Sequence, residues 1–381
     1  MSPSMDQHQG QGRDHGHDHV PAQGTAPALL EVREVSRRFV RRLDAIERLA
    51  ARLGANLREQ TVHAVDRVSF AVAQGEVVGL VGESGCGKST LGRVIAGLHA
   101  PTEGEVLLAG QPVRLQAGQR PLVQMIFQDP FASLNPRMRV GEAIAQAPLA
   151  HGLIERTQAE SYVAGLLQQV GLSPEMARRY PHQFSGGQRA RVGIARALAV
   201  QPRFLVCDEA VAALDVSIQA QVINLLMSLR RDLGLTLLFI SHDLGVIRHV
   251  CDRVVVMYLG RVVETGPIEA VYSAPQHPYT QALLAEVPRL DRRGQRYQPI
   301  RGEIPSPLNP PGGCHFHPRC PHAMPRCGTE VPVLRDLPIR LAPPAADPAQ
   351  GRSEALLSPQ APLPSEARIR AACHLLEPSV S

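Results

Sequence analysis

The sequence predicts an α/β fold with a largely parallel central sheet. Three observations predict it. Short apolar runs alternate with amphipathic helical stretches, one run opens through a Gly-rich loop into a helix, and another ends on two adjacent carboxylates.

In chain order, residues 1–27 are polar, with His8, His15, His17 and His19 among Gln, Gly and Asp. Such a stretch has too few apolar side chains to pack and reads as a disordered tail rather than a metal site. Residues 29–35, 68–72, 77–81 and 105–108 are short apolar runs of strand type. Between the first two, residues 43–57 place Ile46, Leu49, Ala50 and Leu53 at helical spacing, as an amphipathic insertion would. Further strands are expected at 122–127, 204–207, 235–240 and 253–258, and helices at 91–98, 187–200 and 217–233. The polar helical segment 134–180 interrupts the strand rhythm and reads as an inserted subdomain. After Gly266 prolines become frequent (Pro299, Pro305, Pro307, Pro310, Pro311, Pro318), which marks a C-terminal extension, and 342–367 reads as a Pro/Ala/Ser-rich loop. The 381 residues exceed one ordinary core, consistent with a main domain plus an appendage.

Apolar residues make up 44% of the chain. No run approaches the roughly 18 apolar residues of a membrane helix, and the polar N-terminus is not a secretory leader. A cytoplasmic protein is expected, with any membrane role exercised through partners. The net charge of +5 is spread along the chain and suits a solvated surface better than a nucleic-acid face. Of seven cysteines, Cys86, Cys207 and Cys251 are isolated and four lie beyond residue 313, so no secreted disulfide framework is expected.

The loop Gly82-Glu83-Ser84-Gly85-Cys86-Gly87-Lys88-Ser89-Thr90 follows the strand Val77-Val78-Gly79-Leu80-Val81 and precedes a helix, the context a phosphate-binding loop requires. Glycines let successive N–H groups turn toward phosphates, and the helix start adds its dipole. Lys88 is the chain's only lysine among 40 basic residues. A compact ammonium and a planar guanidinium are not equivalent at a tight phosphate site, so this single exception to Arg usage points to Lys88 as the phosphate ligand, with Ser89 on magnesium. The strand Phe204-Leu205-Val206-Cys207 delivers Asp208, suited to hold that magnesium, and Glu209, suited to polarise water as a general base.

These motifs resemble the ATP-binding subunit of an ABC transporter. Phe184-Ser185-Gly186-Gly187-Gln188 resembles that family's signature, with Phe where Leu is usual, and would form a second anion-binding helix start. Gln128 falls at the Q-loop glutamine, Ala213-Leu214-Asp215 at the D-loop and His242 at the switch histidine. Phe39 stands where an aromatic ring stacks on adenine, although a lone Phe there is as readily a core residue. The resemblance covers about residues 28–265, with a helical subdomain at about 131–182. It implies a P-loop ABC ATPase fold: a RecA-like parallel core, an antiparallel β subdomain and a helical subdomain, plus a Cys-containing extension over 266–381. It also implies ATP and Mg²⁺ as ligands, with Ser89, Gln128 and Asp208 around the metal. Two cassettes would pair head to tail, each ATP lying between one chain's phosphate loop and the other's signature. One departure is Ala210 after Glu209, where the family has Pro, together with Ala212 for a common Ser; neither removes a catalytic group.

Phe131-Ala132-Ser133-Leu134-Asn135-Pro136-Arg137, His277-Pro278-Tyr279-Thr280-Gln281-Ala282-Leu283-Leu284 and Gly302-Glu303-Ile304-Pro305-Ser306-Pro307 resemble peptide and nickel importer ATPases, most of all the second ATPase subunit of dipeptide/oligopeptide importers. The partners so implied are a second ATPase (paralogue or self), two integral membrane permease subunits and, indirectly, an external solute-binding protein, at the cytoplasmic face of the membrane and without nucleic acid. A nickel importer and a soluble repair or translation ATPase are the alternatives. Cys314, Cys320, Cys327 and Cys373 are separated by gaps of five, six and 45 residues, unlike the paired hairpins of zinc ribbons. Related importer ATPases carry a [4Fe-4S] cluster on a similar set; zinc and unligated thiols are the other readings.

Overall fold

The computed structural model describes residues 28–41, 43–44, 47, 59–114, 120–128, 134–212, 214–286, 300, 302–338 and 368–376. The His-rich tail, most of the 43–57 segment, Phe131 to Ser133, Ala213, Pro299 and the 342–367 stretch lie outside the described residues.

Two sheets organise the chain. β1 (Ala28–Arg41), β2 (Gln60–Ala73), β4 (Glu103–Leu108) and β5 (Gln111–Pro112) form a four-stranded antiparallel sheet in the order β2-β1-β4-β5. The larger sheet has parallel β3 (Val77–Val81), β6 (Val123–Ile126), β7 (Phe204–Asp208), β8 (Thr236–Ile240) and β9 (Arg253–Tyr258). Antiparallel β10 (Arg261–Pro267), β12 (Arg368–Ala371) and β11 (Arg335–Pro338) continue it, giving the order β11-β12-β10-β9-β3-β8-β7-β6.

β3, β7 and β8 are buried at every residue, as strands covered on both faces must be. Alternation divides the two faces. Val78 and Leu80 join a core with Leu30, Val32 and Val68 of the antiparallel sheet and with Leu91, Val94 and Ile95 of α1 (Lys88–Ile95). Val77 and Val81 face a second core with α4 (Gly186–Leu198), α5 (Val216–Leu233) and α6 (Leu244–Val250). α2 (Val140–Ala150) and α3 (Ala159–Gln169), linked by short 3₁₀ turns to α4, build the helical insertion. α7 (Ile268–Ser273) and α8 (Pro278–Ala285) follow β10. Among the described residues no helix is long and apolar enough to cross a membrane.

The α/β class, the parallel core, the antiparallel sheet and the helical insertion are those the sequence predicts. The boundaries differ informatively. β1 runs to Arg41, beyond the expected 29–35, and Phe39, expected after the strand, lies inside it opposite Val62. The phosphate-loop helix starts at Lys88, not residue 91. β10, β11, β12 and α8 were not expected from the pattern, because prolines and charges mask their period.

Candidate ATP site

The loop 82–90 hangs from the C-terminal end of β3, in the middle of the large sheet. Its bend is set by glycine. Gly87 has φ 107°, and a Cβ there would sit well inside contact distance of the Ala64 carbonyl oxygen on β2. The Gly260 N–H, on the turn between β9 and β10, donates to the Cys86 carbonyl at 2.9 Å and fixes the loop from the other side.

Lys88 is 5% exposed and its Nζ donates to the carbonyls of Gly82 (2.8 Å) and Glu83 (3.1 Å). The ammonium is thus held at the loop's mouth, where a compact three-proton donor is suited to bridge backbone and phosphate. Ser89 Oγ donates to Asp208 Oδ1 at 2.8 Å, so the hydroxyl and carboxylate that the sequence pairs across 119 residues meet. Burial pushes the Asp208 carboxyl above the usual range, opposed by the Ser89 hydrogen bond and the positive Arg93, with Glu209 pushing further up and Lys88 down. A divalent cation at these two oxygens would reverse that burial effect.

Glu209 follows with φ 47°, a left-handed conformation that costs a non-glycine residue energy and is concentrated at functional sites. Its N–H donates to the Ile240 carbonyl at the end of β8 (3.0 Å), and His242 Nδ1 lies 3.5 Å from Glu209 Oε1. The histidine is largely exposed while the glutamate is 16% exposed. The structure therefore gathers Lys88, Ser89, Asp208, Glu209 and His242 at the C-terminal ends of β3, β7 and β8, where ligands bind in parallel sheets.

Gln128 is exposed two residues past the end of β6, which pairs with β7. Phe39 lies beneath the Arg37 guanidinium (4.6 Å to the ring centroid) and meets His99 edge-on at 5.7 Å. Its strand partner Val62 is two residues from the Ala64 that covers Gly87. The ring is therefore near the loop but already engaged by its own chain.

The signature forms elsewhere on the molecule. Ser185 caps α4: its Oγ accepts the Gln188 N–H (3.3 Å), and Gln188 Oε1 accepts the Ser185 N–H (3.0 Å). This reciprocal capping box fixes the helix start. Phe184 is buried and anchors it, while Ser185 and Gly186 are exposed. Glycine at 187 lets the two helices approach closely, because a Cβ there would lie 2.5 Å from Ile218 Cγ2 on α5 and displace that side chain. Asp215, exposed, starts α5 beside it.

Two contacts were missed in the sequence. The Glu83 N–H donates to the Tyr279 hydroxyl (2.8 Å), and Arg319 makes two hydrogen bonds to the Glu83 carboxylate (2.7 and 3.0 Å). Tyr279 belongs to the His-Pro-Tyr-Thr motif and Arg319 precedes Cys320, but nothing in their spacing names Glu83 as partner. The four C-terminal cysteines lie near one another: the Cys373 thiol is raised to about 11, chiefly by burial, with smaller contributions from Cys314, Cys320 and Cys327. The Cys314 N–H donates to the Cys327 carbonyl at 2.8 Å. Among the described residues no three His, Cys, Asp or Glu side chains converge on a position that could hold a metal ion.

Comparison with known proteins agrees with this geometry. Residues 65–212 match the ABC transporter family, and residues 263–327 match the oligopeptide/dipeptide transporter C-terminal region. A peptide ABC transporter ATP-binding protein of Sinorhizobium fredii is 52% identical over 284 residues, covering 73% of this chain and 80% of that one. The oligopeptide transport ATP-binding protein AppF of Bacillus subtilis is 48% identical over 317 residues, 81% of this chain and 94% of that one. Among solved structures, the ATP-binding cassette MJ0796, a dimer in a post-hydrolysis state with ADP and Pi, aligns with a TM-score of 0.53 at 26% identity, over 63% of this chain and 98% of that one. This chain belongs to the ABC transporter family as an ATP-hydrolysing, ATP-binding subunit that carries the oligopeptide/dipeptide transporter C-terminal region.

Proposed function

We propose that the chain is one of two cassettes whose ATP cycle drives uptake of di- or oligopeptides through a membrane complex. Lys88 neutralises the outer phosphates of ATP. Ser89 and Asp208, with Gln128, would hold Mg²⁺, which would supply charge neutralisation of the phosphates. Glu209 accepts the proton of the attacking water, and His242 steadies the γ-phosphate end. The backbone N–H groups from Gly82 through Ser84, Gly85, Cys86 and Gly87 to Thr90 cradle the phosphates, and Phe39 borders the base. The exposed Ser185-Gly186-Gly187-Gln188 helix start, with Asp215, closes on the nucleotide of a second cassette, a paralogue or a second copy. Loss of the γ-phosphate then releases the pair.

The observation that carries this reading is the 2.8 Å contact between Ser89 and Asp208 with Glu209 next in chain at the same sheet end. The peptide substrate is supported by the C-terminal match and by the names of the relatives. On this reading residues 28–265 are the nucleotide-binding domain, 131–182 its helical subdomain, 266–381 the importer-type extension, and 1–27 a tail. The protein sits peripherally at the cytoplasmic face, on two permease subunits served by an external solute-binding protein.

Co-purification with integral membrane subunits, followed by uptake of labelled di- and oligopeptides, tests the assignment. Uptake must vanish in Glu209→Gln. A complex that carries Ni²⁺ and not peptides would refute the substrate while leaving the ATPase intact.

For Cys314, Cys320, Cys327 and Cys373 we infer a [4Fe-4S] cluster in preference to zinc. The support is that Cys314, Cys320 and Cys327 lie close enough to act on the Cys373 thiol, and that thiolate ligation suits such a cluster. Such a group would brace the extension. Iron and acid-labile sulfide in anaerobically purified protein test it, and zinc without sulfide would refute it.

A further inference from the structure

Glu83, the second residue of the phosphate loop, is the point where the C-terminal extension reaches the ATP site. Its carbonyl accepts from Lys88, its N–H donates to Tyr279, and its carboxylate is held by both terminal nitrogens of Arg319. The Arg319 side chain is 5% exposed and Glu83 19%. Behind the pair, Tyr258, Tyr279 and Phe316 form a buried aromatic cluster with centroids 4.7 to 5.4 Å apart. Arg319 also reaches the Tyr258 hydroxyl at 3.4 Å. The segment that carries Arg319 is tied to the core by His315 Nδ1 against the Leu259 carbonyl (2.9 Å) and by Arg261 donating to the Gly313 carbonyl (2.9 Å).

A carboxylate in a loop that must receive a polyanion is an electrostatic liability. At Glu83 it would repel the phosphates that Lys88 attracts, unless its charge is cancelled and its position fixed. A bidentate guanidinium does both, because its planar fork matches the carboxylate and stays charged. We propose that Arg319 is a positioning residue of the ATP site: with Tyr279 it neutralises and orients Glu83, so that the extension sets the phosphate loop's affinity for nucleotide. This rests on the reading that the loop binds MgATP. It gives the extension a role in the cassette's own chemistry, beyond any contact with permease subunits or any group held by the cysteines.

The test is a charge cycle in the full chain, with MgATP binding measured by calorimetry in the Glu209→Gln background. Arg319→Gln should weaken binding by about tenfold, within the roughly 5–150-fold span of ordinary coupling between sites. Glu83→Gln added to Arg319→Gln should restore most of that loss, because the repelling charge is gone. Arg319→Lys should retain part of the affinity, and it serves as the second variant should Arg319→Gln fail to fold. Unchanged affinity in Arg319→Gln, with only the melting temperature lowered, would show that Arg319 merely ties down the extension and would overturn the proposal. A loss that Glu83→Gln does not relieve would overturn it equally. Lys88→Ala separates the two readings: if that variant bound MgATP normally, the ATP site itself would be misplaced.

Discussion

Two glycines of the phosphate loop should respond very differently to a single methyl group. Gly85 and Gly87 both have positive φ, 81° and 107°. An alanine at either pays the left-handed backbone strain of an L-residue, about 1–2 kcal/mol. At Gly85 that is the whole cost to the folded chain, because a Cβ there meets nothing within 4 Å. At Gly87 the Cβ runs into the Ala64 carbonyl oxygen, which cannot swing aside as a side chain could. Ala64 lies within β2, between Val65 and His63, which pair with Arg37 and Arg38 of β1. Overpacking of this kind adds about 1–3 kcal/mol, so Gly87→Ala should cost about 2–5 kcal/mol against about 1–2 for Gly85→Ala. For a domain of this size that is a fall in melting temperature of roughly 4–20 °C against roughly 2–8 °C. The two variants should be melted without nucleotide, so that clashes with phosphates play no part, and MgATP binding then measured separately. Equal melting temperatures for the two variants, or a Gly87→Ala that melts and binds like the parent, would refute the claim that β2 dictates the loop's bend.

Three further outcomes are expected. Glu209→Gln should lower ATP hydrolysis by about 10²–10⁴-fold with MgATP binding retained; a fall of twofold or less would remove Glu209 as the base. Ser185→Arg, at an exposed helix start, should leave the isolated chain's MgATP affinity unchanged yet abolish ATP-dependent pairing of Glu209→Gln chains in gel filtration. If it instead weakened binding by the isolated chain, the signature would not act across the pair. His277 is buried, its Nδ1 accepts the Tyr279 N–H at 3.0 Å, and burial lowers its pKa from 6.5 to about 3. Between those values the unfolded chain binds a proton that the native chain refuses, so this contribution to stability is full above pH 6.5 and is lost as pH falls, at about 1.4 kcal/mol per pH unit. His277→Asn keeps a cap acceptor for α8 and should flatten the denaturation free energy between pH 6.5 and 5.5 by about 1 kcal/mol, since the slope is only half developed at pH 6.5; an unchanged slope would show that His277 is not the titrating group.

How much of this was legible in the sequence depended on the range of each interaction. The phosphate loop and the Asp208-Glu209 corner are local patterns: a strand of apolar residues, a turn chemistry and a helix start, each complete within ten residues. Their meeting at 2.8 Å follows once both strands are placed in one parallel sheet. The far half of β1 was hidden because Ser36, Arg37 and Arg38 interrupt the apolar alternation; Arg37 and Arg38 pair with β2 and Ser36 with β4, while Arg38 and Val40 stay partly or fully exposed. The strands β11 and β12 were hidden for a related reason. They extend an edge, where little burial is needed, and Arg335, Asp336, Arg368 and Arg370 remain exposed. The contacts on Glu83 were not legible at all. Its partners lie 196 and 236 residues away, and neither Tyr279 nor Arg319 carries a pattern that specifies a carboxylate.

That same difference explains why the loop needs support from three directions. A phosphate loop binds by presenting backbone N–H groups, and these are useful only if already aligned before the nucleotide arrives. Within its own residues the loop has glycines, which favour no one conformation, and a lysine that turns back on the carbonyls of Gly82 and Glu83. The alignment must therefore come from outside. β2 supplies it at Gly87, the β9–β10 turn at Cys86 and the extension at Glu83. The first two supports come from the antiparallel sheet and the parallel core themselves, whereas the third is carried by α8 through Tyr279 and by the segment that holds Cys314 and Cys320 through Arg319. A cassette assembled in this way ties its nucleotide affinity to the folding of its C-terminal segment. Shortening the chain before Arg319 would then leave every motif of the ATP site in place and still weaken the site.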